Sequence, residues 1–325
     1  MILAACGGGG GVSANAGPPG APVEAVNTGV GIMLSGEWPL TGDKLEGDAP
    51  AHPAYVVKMD NTSSSAPQVG LGSADLVVEE LVEGGLTRLA VFYYSTIPDA
   101  VGPVRSMRAS DIGIVSPVAA TLVASGGANP TLSRLADAKV STFIEGATGF
   151  YRDDDRSAPY NLFTALRDLA DRPETGWQPP AQSYLPFGDA DNFSGSIAVS
   201  EVTATFSAVQ STQWEHTADG WIRQDSFAAT DDDFVADNLL LLRVGVEDAG
   251  YRDPAGNFVP ETKLTGQGEA VLVHAGEAAK AVWNKTDAGS QLELSDADGD
   301  AVTVPAGNTW IELVPADDGE VILAK

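Results

Sequence analysis

The sequence contains few cysteines, few histidines and few basic residues, and each shortage excludes a class of protein. One cysteine and three histidines in 325 residues exclude an internal disulfide framework and a cysteine-built zinc or iron–sulfur site. The 18 basic residues against 45 acidic ones leave a formal charge of −27. This charge excludes nucleic-acid binding by the whole surface, because phosphate contacts need clustered lysine and arginine. The sequence also contains no apolar run of the length that a transmembrane helix requires.

The length and the apolar content predict a folded protein of two domains. The apolar fraction is 43%, which is typical of globular proteins, and a single core seldom grows beyond about 250–300 residues. Strand-like segments at 54–59, 75–79, 87–94 and 120–124 alternate with segments of helical spacing at 106–115, 130–138 and 161–170. This alternation predicts an N-terminal α/β layered domain over residues 37–186.

The pattern changes after residues 173–186, which hold four prolines. Short alternating segments then recur about every ten residues, separated by turn signals such as Asp-Gly. This spacing predicts a mostly antiparallel, β-rich C-terminal domain over residues 187–325, so the fold class of the whole chain is α+β. Four tryptophans of this half could form a sugar-stacking face, but we expect them in its core. They are Trp214, Trp221, Trp283 and Trp310.

The N-terminus matches a bacterial lipoprotein signal. Residues 3–6, Leu-Ala-Ala-Cys, have the pattern of a lipobox, and residues 7–36 are a flexible Gly/Ala/Pro-rich tether. Only five residues precede Cys6, whereas a secretory signal has a charged start and 7–15 apolar residues. Residues 1–6 therefore resemble a truncated signal, and the alternative is a chance cysteine in a low-complexity tail. We expect lipidation of Cys6, which anchors the chain to the bacterial cell membrane on its extracytoplasmic side.

Charge is distributed unevenly along the chain. Residues 88–172 contain nine basic and nine acidic residues, so the whole excess of negative charge lies outside this segment. An arginine-rich region in an acidic protein creates a local field that can attract an anionic ligand. The alternative is that each arginine pairs with an aspartate close to it.

The candidate ligand site is built on arginines. If Ser106 opened a helix, Arg105 and Arg108 would flank its first turn, where free N–H groups and two guanidinium groups favour a phosphate or carboxylate. The candidate ligand-binding residues are Arg88, Arg105, Ser106, Arg108, Arg152 and Arg156. In a second interpretation the arginines pair with glutamates at 79, 80 and 83 and only pin a loop to the sheet. In a third, arginine and carboxylate share a pocket, with Glu83 and Asp111 as weak catalytic candidates.

Other chemistries find little support. The hydrolase motif Gly-x-Ser-x-Gly and both glycine-rich phosphate-binding motifs are absent, and the histidines are scattered. Residues 296–300 resemble the start of a calcium loop, but Gly299 comes too early for that pattern and a hairpin turn is the better interpretation. We therefore expect no metal and no cofactor.

Several longer motifs resemble a known family. They are residues 78–88, 101–108, 125–127, 150–153 and 156–162 in the first half, and 265–268, 281–283 and 305–315 in the second. Together they resemble the YerB-like lipoprotein family, a two-domain family of unknown function, over residues 38–325. The resemblance implies an envelope lipoprotein of two domains and no assigned activity. Where the family pattern leads us to expect histidine before Asn161, this chain has Tyr160.

These observations predict a membrane-anchored cell-envelope lipoprotein. We favour a binding protein whose arginine-rich site receives an anionic small molecule, an envelope polymer or a protein partner. The alternative is an enzyme, a phosphotransferase or hydrolase, that acts on a phosphorylated envelope substrate.

Overall fold

The computed structural model describes residues 36–172, 178–253 and 256–325. All of them belong to one unit of the chain, residues 32–325. The predicted lipidation site at Cys6, the signal segment 1–6 and nearly all of the predicted tether lie outside the described residues.

Seven strands and three helices form the N-terminal half. The strands are rich in β-branched and aromatic residues, and the first three are almost entirely buried, as expected for strands that are covered on both faces. The strands are β1 (Tyr55–Asp60), β2 (Leu76–Leu81), β3 (Thr87–Tyr93), β4 (Thr121–Ala124), β5 (Thr142–Ile144), β6 (Phe150–Arg152) and β7 (Leu162–Thr164). The helices are α1 (Asp111–Val115), α2 (Asn129–Asp137) and α3 (Leu166–Ala170).

Thirteen strands form the described part of the C-terminal half, where no α-helix occurs. They are β8 (Phe187–Gly188), β9 (Ile197–Ala198), β10 (Glu201–Ser207), β11 (Gln210–Thr217), β12 (Gly220–Arg223), β13 (Asn238–Arg252), β14 (Phe258–Lys263), β15 (Gly266–His274), β16 (Glu277–Lys285), β17 (Glu293–Ser295), β18 (Val304–Pro305), β19 (Thr309–Pro315) and β20 (Glu320–Ala324). Most of their pairings are antiparallel, which confirms the prediction for this half. The predicted segments of this half do not include β8, β14 and β20.

One large sheet runs through both halves. Its order is β17-β16-β15-β13-β19-β2-β3-β1-β4-β5, with β14 paired to β13 and β9 paired to β16. Strand β19 lies between β13 and β2 and is parallel to both, so main-chain hydrogen bonds join the two halves. The fold is mostly β, and the domain boundary near residue 186 stays a prediction.

A second sheet, of order β12-β11-β10-β20, contributes to the core on one face of the large sheet. Phe206 of β10, Trp214 of β11 and Trp221 of β12 share a hydrophobic cluster with Trp310 of β19. Trp283 belongs to the cluster on the other face. All four tryptophans of the second half are buried, which confirms their prediction as core residues.

Two predicted helices are wrong in part. The segment 106–115 is helical only from Asp111, because the residues before it use their backbone groups elsewhere: the Arg105 N–H donates to the Lys58 carbonyl and the Met107 N–H to the Gly126 carbonyl. Ser106 therefore does not open a helix. In the segment 161–170, the first part is strand β7, paired with β6, and only α3 is helical. Tertiary pairing overrides helical spacing in both places.

Candidate functional site

The sheet carries an open cleft at the ends of β1 and β2 and the start of β3. Its cavity volume is about 460 Å³. The predicted residues Arg88, Arg105, Ser106 and Arg108 all line it, together with Glu83. The remaining walls come from the end of β1, the loop between β2 and β3, the segment before β7, and the residues that follow β13 and precede β14. Their side chains include Asp60, Thr62, Thr87, Tyr160, Asp253 and Asn257.

Strand pairing brings these side chains together. Arg88 of β3 lies directly opposite Asp60 of β1 and Glu80 of β2, so these three side chains share one face of the sheet. Arg105 reaches the same edge because Val104 pairs with Met59 beside it. Between β2 and β3, Gly84 and Gly85 have φ angles of +75° and +74°. This conformation suits glycine and makes a tight turn between the two strands.

Two of the three arginines of the cleft have carboxylate partners. Arg108 forms a two-pronged pair with Glu83, in which Nε donates to Oε1 at 2.7 Å and Nη2 donates to Oε2. Arg105 Nε lies 3.2 Å from Asp60 Oδ2, and its guanidinium stacks on the ring of Tyr160. Arg105 Nη1 is buried and has no hydrogen-bond partner among the described residues.

Arg88 has no such partner. Its side chain is nearly buried, at 9% exposure, and its Nη1 donates to the Ser106 carbonyl at 2.9 Å. No ion pair joins it to any carboxylate in the described part of the chain. Burial, followed by repulsion from Arg108 and Arg105, lowers the pKa of Arg88 to about 10, although attraction to Glu83 and Asp60 opposes this shift. The group is therefore still a cation at neutral pH.

The two carboxylates considered as catalytic candidates are already engaged. Both oxygens of Glu83 accept hydrogen bonds from Arg108. Asp111 does not line the cleft but lies in a fully buried cluster beside it, where its Oδ1 is 2.8 Å from Lys58 Nζ and its Oδ2 accepts the Arg108 N–H at 2.6 Å. Burial raises the pKa of Asp111 in spite of the lysine. Lys58 also binds Glu80 at 2.6 Å.

The structure does not bring Arg152 and Arg156 into the cleft. Arg152 pairs with Glu145 and donates to Asn161, whereas Arg156 pairs with Asp153 and donates to the carbonyls of residues 65 and 67. Sequence analysis missed Asp60 and Thr62 in the cleft. A polar Asp-Asn-Thr segment directly after a buried strand was the signal that could have indicated them.

A second set of buried charges lies on the opposite face of the same strands. Glu79 of β2 and Glu312 of β19 are neighbours in the parallel register, and both are fully buried. Arg223 of β12 approaches Glu79 at 3.8 Å but makes its closest ion pair with Asp225, at 3.0 Å. Burial is the largest cause that raises the pKa of both glutamates, and the pKa of Glu312 lies well above its ordinary value.

The described residues contain no group of three or more histidine, cysteine, aspartate or glutamate side chains placed to hold a metal ion. No helix in residues 36–172, 178–253 and 256–325 combines the length and the apolar character that crossing a bilayer requires.

Comparison with known proteins identifies the family. The model of the DUF3048 N-terminal domain, a protein of unknown function, matches residues 40–178, and that of the DUF3048 C-terminal domain matches residues 198–311. The chain is 26% identical over 294 residues to the Bacillus subtilis (strain 168) protein named "Putative lipoprotein YerB", which covers 87% of this chain and 88% of that protein. The crystal structure of the Bacillus subtilis YerB protein has the same fold, with a TM-score of 0.73 and 22% identity over 88% of this chain and 99% of that one. The chain therefore belongs to the two-domain DUF3048 family of unknown function, together with YerB.

Proposed function

We propose that this protein is an extracytoplasmic lipoprotein, anchored to the membrane through Cys6, whose arginine-lined cleft binds an anionic component of the cell envelope. The observation that carries the proposal is Arg88, a nearly buried cation that has two other arginines beside it and no ion-paired carboxylate among the described residues.

Burying a charge is costly, and for Arg88 this cost is only partly offset, because the carboxylates that attract it, Glu83 and Asp60, are each paired with another arginine. Most proteins avoid this cost by pairing the group or by changing its protonation state. Arginine cannot readily lose its proton, and the pKa of Arg88 is lowered only to about 10. An anion from outside the chain would supply the missing charge, so ligand binding offsets a cost that the free protein bears.

The shape of the site favours a small anionic group over a protein surface. Arg88 is recessed, with 9% of its surface exposed, and the cavity of about 460 Å³ is within the range of small-molecule sites. Binding is favoured over catalysis because Glu83, the one catalytic candidate that lines the cleft, has both oxygens bound to Arg108. The enzymatic alternative predicts turnover of a phosphorylated envelope substrate.

Binding can be tested with the full chain carrying Cys6→Ala, which keeps it unlipidated. Thermal shift and calorimetry would compare dimethyl phosphate, acetate, sulfate and methyl phosphate with chloride at equal ionic strength. We expect at least one of these anions to raise the melting temperature, and Arg88→Met to abolish the rise. The matched control is Arg167→Met, which removes an exposed arginine paired with Asp99 outside the cleft. An equal response of both variants, or no response of the parent protein, would overturn the proposed function.

The anchor needs a separate test. We expect the protein expressed from its own gene to fractionate with membranes and to incorporate a labelled fatty acid. Cys6→Ala should remove the label and release the protein, because each buried methylene contributes about 0.8 kcal/mol to anchoring. The proposal of lipidation fails if the variant stays labelled.

A further inference from the structure

We infer that the cleft selects anions with a single negative charge, such as a phosphodiester or a carboxylate, over dianions such as a phosphomonoester. This inference rests on the proposed function and names the class of ligand that the same site takes.

The arginines of the cleft are only partly paired with carboxylates. Three arginines line it, and two of them are compensated, since Glu83 pairs with Arg108 and Asp60 with Arg105. Arg88 is the cleft arginine for which the described residues provide no ion-paired carboxylate, so its guanidinium is left to pair with a ligand. A singly charged anion neutralises this guanidinium, whereas a dianion leaves one negative charge uncompensated in a partly desolvated site, and such a charge is costly.

Two arginines of the cleft also have N–H groups available to donate hydrogen bonds to a ligand. Arg105 Nη1 is buried and has no acceptor among the described residues. Arg88 has five N–H donors and uses Nη1 for the Ser106 carbonyl. Two guanidinium groups with unused donors suit the two charged oxygens of a carboxylate or a phosphodiester.

A further carboxylate lines the cleft beside the β13–β14 hairpin. Asp253, at the tip of the β13–β14 hairpin, lines the same cleft, and its carboxylate accepts hydrogen bonds from the Asn257 backbone N–H at 2.7 Å and side-chain Nδ2 at 2.8 Å. With Asp60 and Glu83, it is the third carboxylate in the cleft. A second negative charge on the ligand would be repelled from this side.

The charge on one ligand can be varied without changing its shape. The second pKa of a phosphomonoester is about 6, so methyl phosphate changes from a monoanion at pH 5 to a dianion at pH 7. With the full chain carrying Cys6→Ala, we expect the affinity for methyl phosphate to fall roughly tenfold over this range, in step with the fraction of monoanion. Dimethyl phosphate, a monoanion throughout, controls for titration of the protein and should keep its affinity. Sulfate, a dianion throughout, should bind most weakly.

The outcomes separate the two proposals. If methyl phosphate binds more tightly as the pH rises, or if sulfate binds better than dimethyl phosphate, the inference on charge is overturned while anion binding stands. If no anion binds at any pH, the proposed function fails first.

Two variants test the charge count directly. Glu83→Gln and Asp60→Asn each remove one compensating carboxylate, so each should raise the affinity for sulfate relative to dimethyl phosphate at least several-fold. Using both variants keeps the test valid if one fails to fold. The matched control is Glu145→Gln, which removes an exposed carboxylate paired with Arg152 outside the cleft. An unchanged ratio in the folded variants would overturn the inference.

Discussion

Adjacent residues of β2 belong to two buried clusters of charged side chains, and the buried charges are balanced differently in the two clusters. Glu80 points to the face that carries Lys58 and the arginine cleft, whereas Glu79 points to the opposite face, toward Glu312 and Arg223. On the cleft face, Arg88 is the cation for which the described residues provide no ion-paired carboxylate. On the opposite face the excess charge is negative, because two buried glutamates share the neighbourhood of one arginine that is already bound to Asp225.

The two clusters differ in whether protonation can neutralise the buried charge. A buried carboxylate can take up a proton and become neutral, and the pKa of Glu312 is raised well above its ordinary value by burial and by Glu79. Arginine has no such route at physiological pH. The glutamate cluster can therefore be neutralised by protons alone, whereas we propose that the cleft takes up an anion.

The largest expected effect comes from removing the one cation of the glutamate cluster. Arg223 donates to the side chains of Asp225 and Asn61 and is almost fully buried. Arg223→Met should lower the free energy of unfolding by roughly 3–5 kcal/mol, because it leaves buried acidic partners unpaired. Urea denaturation measures this loss. Arg252→Met, at an exposed ion pair with Asp248, is the control and should cost less than about 1 kcal/mol. Equal losses would show that Arg223 is not the counter-charge of this cluster.

A smaller effect on stability should come from the Glu312 carboxyl and should depend on pH. Because the folded-state pKa of Glu312 exceeds its ordinary value of 4.5, its contribution to stability is complete below that value and is lost as the pH rises toward the folded-state pKa. Glu312→Gln cannot ionise and can still accept the hydrogen bond from Trp214. The variant should gain stability relative to the parent as the pH rises from 5 to 8. The gain is about 1.4 kcal/mol for each pH unit between the ordinary pKa and the raised pKa of Glu312.

The measurement is the melting temperature of both proteins across this pH range. Glu320→Gln, at an exposed position of β20, is the control and should follow the parent. Parallel curves for the Glu312 variant and the parent would mean that Glu312 is ionised in the fold.

The smallest expected effect is that of Arg88→Met on the free protein. The change removes a cation that Arg105 and Arg108 repel, and it forfeits one hydrogen bond to the Ser106 carbonyl, worth about 1 kcal/mol. The variant also loses the attraction of Arg88 to Glu83 and Asp60. These losses oppose the gain from removing a buried and repelled cation, so the free energy of unfolding without added anions should change by less than about 1 kcal/mol. A loss as large as that of Arg223→Met would assign Arg88 a structural role and remove the contrast between the two clusters.

Local patterns predicted much of the strand content and failed where tertiary pairing competes. Alternation located most strands of the second half, since each alternate residue there packs against a core. Helical spacing over residues 106–115 was misleading, because Arg105 and Met107 donate their N–H groups to Lys58 and Gly126. The pairing of β19 with β2 joins residues more than 200 positions apart, and no local pattern contains that information.

The candidate site was predictable in part for the same reason. Sequence analysis named Arg88, Arg105 and Arg108, which do meet in one cleft. It also named Arg152 and Arg156, which are close in sequence and bind elsewhere. Proximity along a chain predicts contacts within a helix turn or a hairpin, but not across a sheet.

Composition and local spacing along the chain set the acidic character, the arginine-rich segment, the lipobox pattern and the positions of most strands. Which arginine has a carboxylate beside it, and which does not, depends on the tertiary fold. That distinction depends on strand order and on the face to which each side chain points, and both are set when distant segments pair to bury their apolar residues.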